Sequence, residues 1–421
     1  MDNLLRLEGI FSFHRFVLKN WLVRKLVKTG LRKRVLSLFV AFVYMCLRKF
    51  KSQKVAIHCQ NNRQNNKVLA GLESLLKSYS PTFYMPSTFL AMAVSGRRIT
   101  SFRCYSRQMI ELPDKEVVSL DWMPKSKHRL SDQAPIVVLV PGLTNDSRDV
   151  YARTFIEYAA EYGFRACIFN RRGYACMPFN KEDPDPITWN KMDDLDFIVH
   201  KLKGEYPSAN LYLAGTSMGA NHIQLYAGLK GRNSQETPVK ALGCISSPYC
   251  LTAGTRNANG QLLVRKILTH QLIQTVTEHL HEENYVKAIE RRGIDLEHAL
   301  KSTSTDEFNE RFSLAFTPYK SLADYKDAVS GKSVVRHIKI PVLSVNSKND
   351  DIVPFEAIPF SEIAENPNFV QVVTNGGGHL EYFSSWKMRR WAYDLVLQYF
   401  SNIEHGTDTK LGTSNISVCQ E

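Results

Sequence analysis

The sequence lacks the patterns that mark metal-binding, nucleotide-binding and disulfide-stabilised proteins. Its eight cysteines are irregularly spaced and form no C-x-x-C pair, which argues against a zinc site and a disulfide framework. A P-loop, a dinucleotide-binding glycine pattern and a zinc-protease motif are also missing, so we expect no cofactor. A repeat at a fixed period is absent too. The 421 residues, 44% hydrophobic and 23% charged, therefore indicate a large globular domain with additional segments.

Acidic residues are scarce at the N-terminus. Residues 1–54 contain 13 Lys and Arg against two acidic residues, a net charge of +11 out of +13 for the whole chain. Between residues 4 and 32, Leu, Phe, Trp and Val recur with these basic residues at helical spacing, which is typical of an amphipathic helix in a membrane interface. We therefore expect residues 1–54 to bind an anionic membrane surface and not a nucleic acid.

A long hydrophobic run is also missing. Residues 35–47 form an uncharged stretch of 13 residues. As a helix it is about 20 Å long, whereas the hydrocarbon core of a bilayer is about 30 Å thick. Because flanking arginines can snorkel and a bilayer can thin, we expect a single-pass or interfacial membrane anchor rather than a buried core helix. The endoplasmic reticulum is one candidate organelle for such an anchor.

The rest of the chain divides by composition. Residues 51–68 are polar and rich in Asn, Gln and Lys, so we predict a linker and lead-in segment over 55–110. Residues 111–400 form the predicted main domain. The polar stretch 401–421 is predicted to be disordered.

Short apolar runs alternate with helical patterns in the main domain, as at 136–140, 211–213 and 341–345. This alternation predicts an α/β fold, with a mostly parallel central sheet covered by helices on both faces. No strand pattern occurs between about residues 250 and 337, which we interpret as a helical lid inserted between two strands. Four histidines in this insertion share no spacing suited to a metal and are expected on helix surfaces: His270, His279, His281 and His298.

Residues 215–219 read Gly-Thr-Ser-Met-Gly, a G-x-S-x-G pattern. The pattern follows an apolar strand and precedes a helix, which is the setting of a nucleophile elbow. Small residues on both sides of the serine permit the sharp turn. Ser217 is therefore the candidate nucleophile.

A serine nucleophile needs a histidine base and an acid that orients the base. In α/β folds with a nucleophile elbow, the chain order is serine, acid, histidine. Candidates for both partners occur in this order, each just after a predicted strand. His379 follows three glycines and is the candidate base. Asp350 and Asp351 are both candidates for the acid, and the spacing to Pro354 favours Asp350.

Backbone N–H groups for an oxyanion hole are expected from Met218 and from Leu143, which lies in the loop after the strand at 136–140. The Asn-Arg-Arg-Gly segment at 170–173 is interpreted as a structural turn beneath the site. A glycosylation sequon begins at Asn145, near the predicted pocket mouth. Because a glycan there would obstruct the pocket, we expect the domain to face the cytosol.

Taken in order, these motifs resemble the membrane-anchored α/β-hydrolase-domain lipases, the group with the plant embryogenesis-associated hydrolases and bacterial relatives. The likeness covers about residues 82–400 and rests on the motifs at 112–114, 120–122, 141–144, 170–173, 215–219, 349–354 and 377–379. It implies the α/β-hydrolase fold, an N-terminal membrane anchor and hydrolysis of lipid acyl esters through Ser217, Asp350 and His379. The chain departs from the family at Asn145 and Ala220, where glycine is frequent, so we expect these positions to affect the range of substrates rather than the chemistry.

The expected function is thus that of a membrane-associated serine hydrolase, a phospholipase or an acylglycerol lipase or carboxylesterase. A lipid acyltransferase would use the same three residues and differ only in the acceptor. A catalytically silent, membrane-tethered binding module is the alternative outside enzymes. The intact order of Ser217, Asp350 and His379 argues against this last alternative.

Overall fold

The computed structural model describes residues 39–40, 53–82, 104–124, 130–186 and 189–406. The predicted amphipathic helix at 4–32, nearly all of the apolar stretch at 35–47 and the last part of the predicted tail, 407–421, lie outside these residues. Within the described ranges, no helix is both long enough and apolar enough to cross a membrane.

A nine-stranded sheet forms the centre of the molecule, in the order β1-β9-β8-β7-β6-β4-β5-β3-β2. The strands are β1 Ala56–Cys59, β2 Ser106–Glu111, β3 Val117–Trp122, β4 Ile136–Val140, β5 Arg165–Asn170, β6 Leu211–Thr216, β7 Val239–Ile245, β8 Val342–Ser347 and β9 Phe369–Thr374. The six strands from β9 to β5 pair in parallel, and β1, β3 and β2 pair antiparallel at the two edges. The predicted mostly parallel α/β sheet is confirmed.

Helices connect the parallel strands and cover both faces of the sheet. They are α1 Arg63–Ala70, α2 Glu73–Leu76, α3 Val150–Glu161, α4 Asp193–Glu205, α5 Met218–Arg232, α6 Leu251–Gly260, α7 Leu262–Thr277, α8 Glu283–Arg291, α9 Leu296–Leu300, α10 Thr305–Arg311, α11 Leu322–Ala328, α12 Phe360–Ala364 and α13 Trp391–His405. Short 3-10 helices occur at Ser313–Phe316, Gly331–Ser333, Val335–His337 and Phe355–Ala357, and a small hairpin joins β10 Phe383–Ser384 to β11 Arg389–Arg390.

Strand β4 shows why both faces need helices. Val137 and Leu139 pack into the core beneath α3 and α13, while Ile136, Val138 and Val140 pack into the core beneath α4 and α5. Successive side chains of a strand point to opposite faces, so an unbroken apolar run has two faces to bury. Burying one such side chain contributes about 1.5–3 kcal/mol. The continuous apolar run therefore determines a central, doubly covered strand.

The strand order reverses beside β4, which lies between β5 and β6. The chain leaves β4 for β5 on one side and later returns to form β6 on the other side. Loops that follow adjacent strands diverge at such a reversal and leave a crevice at the carboxyl edge of the sheet. The loop after β4 and the turn after β6 border this crevice.

The helical insertion, which we define as residues 251–337, lies between β7 and β8 and contains α6 to α11. Its helices build a separate hydrophobic core around Phe308, Phe312 and Tyr285. Leu143 and Phe179, which belong to loops of the sheet domain, pack against the same core. The insertion is thereby fixed over the carboxyl edge of the sheet.

The structure corrects two predicted boundaries. The segment predicted as a linker contains β1 and α1, because Ala56–Cys59 adds an antiparallel edge strand to β9 and Asn62 caps α1 through the Asn65 N–H. Helix α13 continues to His405 into the predicted tail at 401–421, and the β10–β11 hairpin directly precedes it.

Candidate active site

Ser217 lies in the turn between β6 and α5. Its backbone has φ 53° and ψ −124°, in the left-handed half of conformational space that non-glycine residues avoid. The Ser217 N–H donates to the Ile245 carbonyl oxygen at 2.8 Å, which ties the turn to the end of β7. The serine therefore stands at the carboxyl edge of the sheet, at the N-terminus of a helix, as a nucleophile elbow requires.

Both glycines of the motif are required by close backbone contacts. A Cβ on Gly219 would lie 2.0 Å from the Val140 carbonyl oxygen. A Cβ on Gly215 would lie 2.6 Å from the backbone nitrogen of Ala220. Neither contact could be relieved by a side-chain rotation, because both neighbours are backbone atoms. The elbow thus needs glycine at these two positions, and it accommodates Ala220.

The structure brings Ser217, His379 and Asp350 together. The Ser217 Oγ–H donates to His379 Nε2 at 2.8 Å, and the His379 Nδ1–H donates to Asp350 Oδ2 at 2.8 Å. His379 and Asp350 are each 7% exposed. This chain of two hydrogen bonds, buried apart from the serine, has the geometry that activates a hydroxyl nucleophile.

The structure distinguishes between the two candidate acids. The second oxygen of Asp350, Oδ1, accepts the N–H groups of Ile352 at 2.8 Å and Val353 at 2.9 Å, so both of its oxygens are bonded. The backbone carbonyl oxygen of Asp351 accepts hydrogen bonds from the side-chain amides of Asn257 and Gln261 in the insertion. Asp350 therefore faces His379, while Asp351 helps to hold the insertion.

Two opposing effects act on the pKa of His379. Burial lowers it, whereas the charge and the hydrogen bond of Asp350 raise it, and the net result is a pKa above the ordinary value of histidine. The Asp350 carboxylate thus stabilises the imidazolium that forms when His379 takes a proton. Ser246 donates a hydrogen bond to the carbonyl oxygen of His379 and holds the histidine loop in place.

Leu143 and Met218, the predicted sources of oxyanion-hole N–H groups, line one cavity together with Ser217 and His379. Met218 is the first residue of α5, so its N–H belongs to the helix turn that has no acceptor within the helix. Leu143 follows β4 at the reversal of strand order. The two predicted donors therefore lie on the neighbouring segments that border the serine.

The cavity has a volume of about 410 Å³ and extends from Ser217 under the insertion. Most of its wall is apolar, and helices α6 and α7 contribute Ala258, Ile267 and Leu268. Two buried acidic residues, Asp149 and Glu381, also line it, and among the described lining residues there is no Lys or Arg. The cavity thus suits an apolar chain, and a group of net negative charge would be poorly accommodated.

Glu381 is a buried carboxyl group near His379 that the motif analysis missed. It is 5% exposed, and burial raises its pKa to about 7 in spite of the opposing charge of His379. Its Oε2 accepts the Leu380 N–H at 3.2 Å. The position two residues after His379 was the only available signal, and it carries no chemistry without the fold.

The expectation that all four histidines of the insertion lie on helix surfaces is wrong for His279. This residue is 5% exposed, its Nε2–H donates to the Gly173 carbonyl oxygen at 2.6 Å, and its Nδ1 lies 2.5 Å from Glu282 Oε1. It therefore ties the insertion to the loop after β5. In the described parts of the chain, no group of three His, Cys, Asp or Glu residues could hold a metal ion.

Asn145, one of the two departures from the family pattern, is engaged inside the pocket. Its amide nitrogen donates to Asp149 Oδ1 at 3.2 Å, and its amide oxygen accepts the Tyr151 hydroxyl at 3.2 Å. Because the side chain lines the cavity and both of its polar atoms are bonded, a glycan on this nitrogen is incompatible with the structure.

A parallel sheet with the elbow serine after its central strand, and with acid and histidine after the later strands, defines the chain as an α/β-hydrolase. A family model, Hydrolase_4, described as serine aminopeptidase S33, matches residues 131–380.

Curated relatives narrow the assignment. Phospholipase ABHD3 of Bos taurus is 31% identical over 343 residues, which cover 78% of this chain and 80% of that protein. Embryogenesis-associated protein EMB8 of Picea glauca is 26% identical over 311 residues, 71% of this chain and 66% of that protein. Monoacylglycerol lipase of Saccharomyces cerevisiae is 27% identical over 292 residues, 67% and 62% of the two chains. The chain belongs to the α/β-hydrolase lipase family, and it is a serine ester hydrolase.

Proposed function

We propose that this protein is a membrane-associated serine hydrolase that cleaves the acyl ester bonds of lipids, as a phospholipase or an acylglycerol lipase. In this proposal Ser217 is the nucleophile, His379 the general base and Asp350 the acid that orients His379. The Leu143 and Met218 N–H groups form the oxyanion hole. The names of the similar proteins, a phospholipase and a monoacylglycerol lipase, favour a lipid ester as the substrate.

The reaction proceeds through an acyl-enzyme. His379 Nε2 takes the proton of Ser217 Oγ as the oxygen attacks the ester carbonyl carbon, and the carbonyl oxygen becomes an oxyanion held by the two backbone N–H groups. His379 then passes the proton to the departing alcohol oxygen as the ester bond breaks. A water molecule, deprotonated by His379, attacks the acyl-enzyme and releases the fatty acid.

The apolar cavity supports a lipid acyl chain as the group that is bound. Each methylene group that moves from water into an apolar cavity gains about 0.8 kcal/mol. An acyl chain that enters from Ser217 would pass along the walls from α6 and α7, where Ala258, Ile267 and Leu268 line the cavity. The scarcity of cations around it favours a substrate without net negative charge next to the ester.

Membrane association rests on the basic, apolar N-terminus and on one exposed patch. Leu262 and Leu263, at the start of α7, are 58% and 48% exposed, although the same helix lines the cavity through Ile267 and Leu268. Exposed leucines on a helix that also lines the cavity are suited to contact with a lipid surface. We propose that residues 1–54 hold the protein at the membrane and that this end of α7 faces the bilayer.

The observation that carries the proposal is the chain of hydrogen bonds from Asp350 through His379 to Ser217, which opens into an apolar cavity. A silent binding module would have no need of it. An acyltransferase would use the same residues with an alcohol in place of water, so the product decides between the two reactions.

Labelling with a fluorophosphonate probe tests the proposal, because the probe reacts only with an activated serine. We expect the wild type in membrane fractions to be labelled, Ser217→Ala to be unlabelled, and the exposed-surface control Ser208→Ala to be labelled like the wild type. The same three proteins are then incubated with phospholipid and acylglycerol vesicles, and free fatty acid is measured. A folded wild type that is not labelled would contradict the proposed hydrolase function.

A further inference from the structure

Arg171 is a buried cation just after β5. It is 2% exposed, and its guanidinium carbon lies 3.8 Å from the centre of the Trp189 ring and 4.3 Å from that of Tyr174. Among the described residues it forms no ion pair, unlike its neighbour Arg172, which binds Asp194 in a two-pronged salt bridge. A buried charge without a counter-ion is costly, so a specific use is indicated.

The guanidinium holds the loop that follows β4. Arg171 Nη1 donates to the Pro141 carbonyl oxygen at 3.1 Å, and Nη2 donates to the Gly142 carbonyl oxygen at 3.2 Å. The Tyr151 hydroxyl accepts the Gly142 N–H at 3.1 Å. The peptide group between Pro141 and Gly142 is therefore fixed at both ends, and the next peptide group is fixed at its carbonyl.

The second of these peptide groups carries the Leu143 N–H. A trans peptide is planar, and its C=O and N–H point in opposite directions. The Gly142 oxygen accepts hydrogen bonds from Arg171 Nη2 and from the Asn145 N–H at 3.3 Å. These two donors, of which Arg171 is the charged one, therefore set the direction of the Leu143 N–H. In the described part of the chain this N–H has no acceptor, and Leu143 lines the cavity beside Ser217.

We propose that Arg171 is a positioning residue for the oxyanion hole, which aims the Leu143 N–H at the site and strengthens it as a donor. This inference rests on the proposed function of Ser217. The positive charge polarises the peptide group from its carbonyl side, so its N–H becomes a better donor to a developing oxyanion. The charge is already in place before the reaction, so no reorganisation is required.

The neighbouring histidine does not alter this charge. His222 lies beside Trp189, with ring centres 5.6 Å apart, and it is 1% exposed. Burial and the charge of Arg171 lower the pKa of His222 to about 3, so it is neutral wherever the enzyme would work. Within this cluster of Arg171, Tyr174, Trp189 and His222, Arg171 is therefore the group that places a positive charge beside the loop after β4.

Arg165 provides a matched control at the other end of the same strand. It is 1% exposed, and its guanidinium carbon lies 4.0 Å from the centre of the Tyr206 ring and 5.5 Å from that of Trp122. Its Nη1 donates a hydrogen bond to the Asp132 carbonyl oxygen at 3.4 Å and pairs with the exposed Asp132 carboxylate at 3.3 Å, away from the oxyanion loop. Loss of either arginine removes similar aromatic packing, and only loss of Arg171 removes hydrogen bonds from the loop after β4.

The test compares Arg171→Met, Arg171→Lys and Arg165→Met with the wild type in hydrolysis of p-nitrophenyl butyrate. Removing one oxyanion-hole donor lowers kcat by about 10²–10³-fold. We expect Arg171→Met to lower kcat by about 10²-fold with KM little changed, since the donor acts on the transition state and not on the bound ester. Arg171→Lys keeps the charge but not the planar fork, so an intermediate loss of about 10-fold is expected.

A trifluoromethyl ketone, which forms a tetrahedral oxyanion on the serine, supplies the second readout. Its inhibition constant should rise in Arg171→Met by the same factor as kcat/KM falls, and fatty-acid product inhibition should not change. Thermal unfolding of the two Met variants is measured in parallel. Equal activities of Arg171→Met and Arg165→Met, or a change confined to KM, would overturn the inference. A wild type that neither hydrolyses the ester nor binds the ketone would overturn the proposed function, and the inference with it.

Discussion

Replacement of Asp350 by Asn tests the roles in the hydrogen-bonded chain most directly. Oδ1 of Asp350 accepts two backbone N–H groups, from Ile352 and Val353, so the oxygen of an asparagine amide will take this position. Its NH₂ group then faces His379 Nδ1, which at present donates to Asp350 Oδ2 at 2.8 Å. A donor cannot face a donor, and His379 must move its proton to Nε2.

In that tautomer Nε2 no longer accepts the Ser217 hydroxyl, and the base is lost without any change of shape. A wrong tautomer of this kind lowers kcat by about 10⁴-fold, which corresponds to about 5.4 kcal/mol in the activation free energy. The matched control is Asp351→Asn, which removes the same charge one residue away and should stay within about 3-fold of the wild type.

The assay is steady-state hydrolysis of a soluble p-nitrophenyl ester near neutral pH, with circular dichroism to show that both variants are folded. A large loss in Asp350→Asn with a nearly unchanged Asp351→Asn is expected. Equal losses in the two variants would refute the argument from the tautomer, because only general electrostatics would then remain. A larger loss in Asp351→Asn would assign the acid to the other residue.

Two further predictions concern charge. Ionised Glu381 raises the pKa of His379, so Glu381→Gln should lower that pKa. Because His379 must be neutral to act, the acid limb of the kcat/KM profile should then move to lower pH, and a move to higher pH would contradict the placement of this carboxyl group. Replacing Arg32, Lys33 and Arg34 by Glu should weaken binding to anionic vesicles by roughly 1 kcal/mol or more per residue in a flotation assay, while hydrolysis of the soluble ester stays unchanged. Equal flotation of the variant and the wild type would count against an electrostatic role of residues 1–54.

The sequence was sufficient for the parallel sheet because the central strands are apolar throughout. Strand β4, with five buried residues, cannot be read as a half-exposed strand. Ser217 and His379 were predicted as site residues because each follows such a strand, Ser217 between two glycines of the G-x-S-x-G pattern and His379 directly after three glycines. Their chain order with Asp350 then restricted the choice of acid to two adjacent residues.

The edge of the sheet was not predictable in the same way. Strand β1 reads Ala-Ile-His-Cys, only four residues long, and a single one of them is buried. A strand of this kind depends on pairing with β9 and not on its own pattern, because its one packed face offers too few apolar positions for a periodicity to be detected. The polar residues on either side then made a linker the natural interpretation.

The supports of the candidate site were missed for a related reason. The Asn-Arg-Arg-Gly segment was recognised and interpreted as a turn, but the sequence cannot tell that Arg171 holds two carbonyl groups 29 and 30 residues earlier in the chain. The sequence around His279 gives no sign of burial, because this residue is buried only by its contact with the loop after β5. Such roles depend on contacts between distant segments, which leave no local periodicity.

The short edge strand also sets the reach of the enzyme. Gln53 bridges to Tyr79, and β1 continues from there into the pairing with β9, the strand that leads to the His379 loop. If residues 35–47 lie in a bilayer, only residues 48–52 connect them to Gln53, and a fully extended chain of this length spans about 20 Å at most. With so short a connection, the catalytic domain cannot move away into the solvent or reach an opposing bilayer. It would draw its lipids laterally, from the leaflet in which it is itself held.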